Sequence, residues 1–148
     1  MAKTHQLVAW TCKGQVRMVP EVMEPVLQPV RSRIIRLEKE YGETADEKIL
    51  LKLIAACEQL GDALSRFGSN VEAFRQYAEG ARLCLNCPDI FWADSDDGWL
   101  LLMPFRGRFL TLYGKCRNLV AKHPGLSALM RTSGLERDYQ SIIPASCR

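Results

Sequence analysis

The sequence predicts a mainly α-helical protein, a bundle of three long helices with shorter C-terminal ones and an N-terminal β-hairpin. Three observations carry this. Apolar residues recur at spacings of three and four through most of residues 25–143, the period of an amphipathic helix. Two stretches, Thr44 to Glu47 and Ser69 to Glu72, have the form of a capping box that opens a helix. Only residues 6–19 read as extended, two β-prone runs around Lys13-Gly14.

In that first stretch Leu7 to Cys12 and Gln15 to Val19 are the strands, and Gly14 supplies the backbone freedom of a tight turn. A lone hairpin is marginal in water, so this one is expected to pack on the helices or pair with another chain. Pro20, Pro25 and Pro29 then disfavour helix in the residues before them. The first helix is expected to start near Pro25 or Pro29, with Val26, Val30, Ile34, Leu37 and Tyr41 as its apolar stripe and Gly42 as its stop.

Thr44 is expected to cap the next helix, whose core face is Leu50, Leu53, Ile54, Cys57, Leu60, Leu64 and Phe67, with Gly68 ending it. Ser69 opens another, with Val71, Phe74, Ala78, Ala81 and Leu85 as its stripe. The short connection makes these two an antiparallel hairpin. An acidic and aromatic loop follows, from Asn86 to Gly98, and then a helical stretch from Trp99 to Lys122. Pro104 within it costs about 3 kcal/mol in a helix interior, so a kink or fresh start is expected there. Beyond it Phe105, Phe109, Leu112, Cys116, Leu119 and Val120 share a face, and His123-Pro124-Gly125 stops the helix. Two short helices, Leu126 to Thr132 and Leu135 to Ile143, complete the chain.

Its 148 residues suit one domain, with a helical body over 25–143 and the hairpin over 6–19. With 47% apolar and 25% charged residues the composition is that of an ordinary globular protein, which excludes a disordered tail or a disulfide-dense miniprotein. Uninterrupted apolar runs such as Trp99 to Met103 fall far short of the roughly 20 residues of a membrane span. No export signal is visible either, so a cytoplasmic location is expected, with the six cysteines as reduced thiols. The net charge of +3 is unevenly spread: residues 75–98 sum to −3 and residues 99–148 to +6.

Few residues point to chemistry. Cys84 and Cys87 form a C-x-x-C pair that could ligate a metal, but Cys116 and His123, the obvious further ligands, stand about 10 Å apart along one helix. The pair also sits at a helix C-terminus, where the dipole disfavours a thiolate. Buried free thiols are therefore expected, and no cofactor. Asp94 to Gly98 has its glycine one place too early for a calcium loop and Phe105 at the twelfth position, so Asp96 or Asp97 is read as a helix cap. Gly107 and Gly114 with Lys115 depart from a phosphate loop in both spacing and context; they are expected instead to let a neighbouring helix approach. Glu58 and Asp62, four apart, are read as solvated.

With only two histidines and no nucleophile motif, catalysis is not expected. The favoured function is a helical protein-interaction module that binds itself or another protein, with Trp10, Phe91, Trp92 and Trp99 as the contact residues. The alternatives are nucleic-acid binding through Arg106, Arg108, Lys115, Arg117 and Lys122, and a metal site at Cys84 and Cys87. The five basic residues fall into two stripes that flank the apolar face rather than one continuous patch, which weakens the first alternative.

Overall fold

The computed structural model describes residues 7–12, 15–20, 24–86 and 96–142, with side chains over 24–86 and 104–142. The body is mainly helical. Helix α1 spans Glu24–Thr44, α2 Glu47–Arg66, α3 Asn70–Cys84 and α4 Asp96–Lys122. A 3₁₀ turn at Pro124–Leu126 leads into α5, Ser127–Ser133, and α6, Leu135–Ile142. The expected hairpin over 6–19 falls where no side chain is described, and its turn residues, Lys13 and Gly14, lie outside the described residues.

Four long helices replace the expected three, because α4 continues unbroken through Pro104. Burial of Phe105 and Phe109 just beyond the proline offsets the roughly 3 kcal/mol it costs, since a fully buried large apolar side chain contributes about 1.5–3 kcal/mol. Asp96 and Asp97 stand inside the first turn of α4 and not ahead of it. Pro29 likewise lies within α1, which starts at Glu24.

The helices pack in chain order, α1 on α2, α2 on α3 and α3 on α4, and α5 and α6 fold back beside α4. Phe67, Gly68 and Ser69 connect α2 to α3, with Gly68 at φ +81°, the left-handed conformation that glycine adopts without a steric penalty. Helix α3 therefore has neighbours on two sides, and its buried set is wider than one stripe. Ala73, Phe74, Gln76, Tyr77, Ala78, Gly80, Ala81, Leu83 and Cys84 are all buried. A Cβ at Gly80 would lie 3.0 Å from Leu112 of α4 and 3.3 Å from Cys57 of α2, so α3 touches both partners at one level.

Several local expectations change. Helix α1 does not stop at Gly42; it runs to Thr44, and Ala45 takes the left-handed position at φ 52° while its amide donates to the Tyr41 carbonyl. Thr44 closes α1 instead of opening α2. The cap of α2 is Asp46, whose Oδ1 accepts from the Lys48 amide at 2.8 Å. In α1 Leu27 joins Val30, Ile34 and Leu37 in the core, with Val26 46% exposed on the outer side. Phe67 and Val71, placed on core stripes by spacing, are exposed because both flank the α2–α3 turn, where the chain leaves the packed faces. Gly107 and Gly114 face open space; the close approaches of helices fall at Gly61 and Gly80.

Candidate functional site

The most organised polar arrangement lies where α2 and α4 pass on either side of α3. Since α3 runs antiparallel to both, α2 and α4 run parallel, and charges in the same order along each can pair. Glu58 and Asp62 of α2, one turn apart, meet Arg108 and Lys115 of α4, two turns apart. Arg108 Nη1 lies 3.2 Å from Glu58 Oε1, and Lys115 Nζ lies 2.7 Å from Glu58 Oε2. Lys115 also donates to Asp62 Oδ1 at 2.8 Å and Oδ2 at 3.0 Å. Tyr77 of α3 completes the seam: its hydroxyl donates to Asp62 Oδ1 at 2.6 Å, and the Lys115 ammonium stands 5.5 Å from its ring centroid.

Gly61 makes room for this. A Cβ there would fall 2.5 Å from the Tyr77 ring, inside contact distance, so only glycine lets the ring come this close to α2. The expectation that Glu58 and Asp62 are solvated fails for Glu58, whose side chain is 13% exposed. It holds in part for Asp62, which pairs with Lys115 and Tyr77 while its side chain stays 42% exposed. Both lie beside the apolar stripe, where the crossing α4 can reach them. The signal was present as two oppositely charged helix faces, acids at i and i+4 and bases at i and i+7.

The seam holds its protons firmly. Burial pulls the Lys115 ammonium down, but hydrogen bonds and charge attraction from Asp62 and Glu58 outweigh it and hold the group above the usual lysine range. Burial first, then the bond to Asp62, raises the Tyr77 phenol above its ordinary range. A general acid or base works best when it titrates near the operating pH, and both groups are moved away from neutrality.

Beside the seam opens a cleft of about 300 Å³. It is lined by Asp62, Tyr77 and Lys115 of the seam together with Ser65, Asn70, Asn118, Leu119, Lys122 and His123. These come from the end of α2, the start of α3 and the end of α4.

The remaining candidates are scattered. Trp10, Phe91, Trp92 and Trp99 have no described side chain, and Cys87 lies outside the described residues. Cys84 is buried, with its thiol donating to the Gly80 carbonyl at 3.4 Å. Among the described residues no group of three or more metal-ligating side chains converges. Of the five basic residues, Arg106 is buried and Arg108 and Lys115 pair with α2. Arg117 is exposed and stands 5.9 Å from the Tyr113 ring, and Lys122 is exposed at the cleft. The structure does not bring the five into one surface.

Cys116 gives a direct test of the core. Burial pushes its thiol from an ordinary value of 9.0 up to about 12. As pH rises past 9.0 the unfolded chain loses this proton while the folded one keeps it, so the native state is progressively disfavoured. Tyr77, Tyr113 and Lys115, all raised, act in the same direction at higher pH. Urea unfolding is expected to show stability unchanged by these groups near neutrality and falling above pH 9.0, by up to about 1.4 kcal/mol per pH unit from Cys116. Stability that rises between neutral and strongly alkaline pH would contradict this burial.

Comparison with known protein families, curated proteins and solved structures finds no match to the chain. Among the described residues no helix is long and apolar enough to cross a membrane.

Proposed function

We propose that the chain is a non-catalytic helical interaction module that self-associates, working in the cytoplasm. The observation that carries this is the state of its charged groups. The seam of Glu58, Asp62, Arg108, Lys115 and Tyr77 joins three helices and holds its lysine and tyrosine protons away from neutral titration, which favours a structural role for it. Exposed apolar residues favour binding by surface contact: Phe67 and Val71 flank the α2–α3 turn, and Val26 and Ile35 lie on α1. Burial of the Cys57, Cys84 and Cys116 side chains in the apolar core agrees with a reducing compartment.

The N-terminal stretch is read as the hairpin that offers an edge to a second copy. Trp10 on this edge, and Phe91, Trp92 and Trp99 near the start of α4, are the proposed anchors. Nucleic-acid binding is disfavoured, because two bases of its stripe are already neutralised by α2.

Sedimentation velocity across a wide concentration range tests the proposal. The expected result is a dimer that Trp10→Ala and Trp92→Ala shift toward monomer. A wild-type chain that remains monomeric throughout overturns self-association. Binding to a duplex oligonucleotide that weakens steeply with salt would move the assignment to the basic residues.

A further inference from the structure

We draw no further inference here: the strongest candidate, the open groove between α4 and α6 lined by Leu110, Tyr113, Gly114, Arg117, Ala121 and Tyr139, carries nothing, because nothing among the described residues shows what covers it.

Discussion

Phe109→Ala is expected to cost about 3–5 kcal/mol of folding stability, the range for truncating a buried aromatic residue. Phe109 is fully buried on α4, in the apolar core with Leu112 and Cys116, and its ring stacks on Tyr113 with centroids 6.2 Å apart. Alanine there removes apolar area and leaves a cavity that surrounding helices can only partly close. A domain of this length gains about 5–15 kcal/mol in total, so the loss is a large share of it. The melting temperature should fall by about 6–20 °C. Phe67→Ala is the matched control. Spacing alone places Phe67 on the core face of α2, but it is 43% exposed, and its truncation should change stability by about 0.5 kcal/mol or less. Equal losses from both variants, read by urea unfolding, would mean that the chain packs as the stripe predicts and not as the structure has it.

The second large effect concerns glycines and depends on sign. Alanine in a helix interior is favoured over glycine by about 1 kcal/mol when nothing else changes. At Gly107 and Gly114 a Cβ meets nothing within 4 Å, so Gly107→Ala and Gly114→Ala should each stabilise the protein by about 0.5–1 kcal/mol. At Gly61 the same methyl falls 2.5 Å from the Tyr77 ring. That ring cannot swing aside freely, because its hydroxyl is tied to Asp62 and the Lys115 ammonium lies near its face. Overpacking costs about 1–3 kcal/mol or more and outweighs the propensity gain. Gly61→Ala should therefore be net destabilising, and Tyr77→Leu should rescue part of the loss by clearing the space. Stabilisation by Gly61→Ala, or additive losses in the double variant, would show that α2 and α3 do not approach closely here.

Helix positions were legible in the sequence because they depend on local chemistry. Alternating blocks of apolar spacing, Gly68 at the end of α2 and His123-Pro124-Gly125 after α4 act within a turn or two of themselves. The misplacements were also local competitions. Asp46 was a better cap than Thr44, and Ala45 took the left-handed residue expected at Gly42. Pro104 was outweighed by the phenylalanines that follow it. The polar seam was not read, since Glu58 and Asp62 on one helix have no recorded purpose until α4 lies alongside.

By itself the sequence determined that the body is helical, roughly where helices α1 to α6 begin and end, and that Leu53, Leu60, Phe74, Phe109 and Leu112 belong to the core. Only the tertiary structure decided which glycines are crowded, which apolar residues face outward and which charges meet. Helix periodicity gives a residue's angle around its own axis but not the neighbour it faces. Pairing Lys115 with Glu58 and Asp62 required α3 to hold α2 and α4 parallel on its two sides, a relation carried by packing between residues more than 50 positions apart.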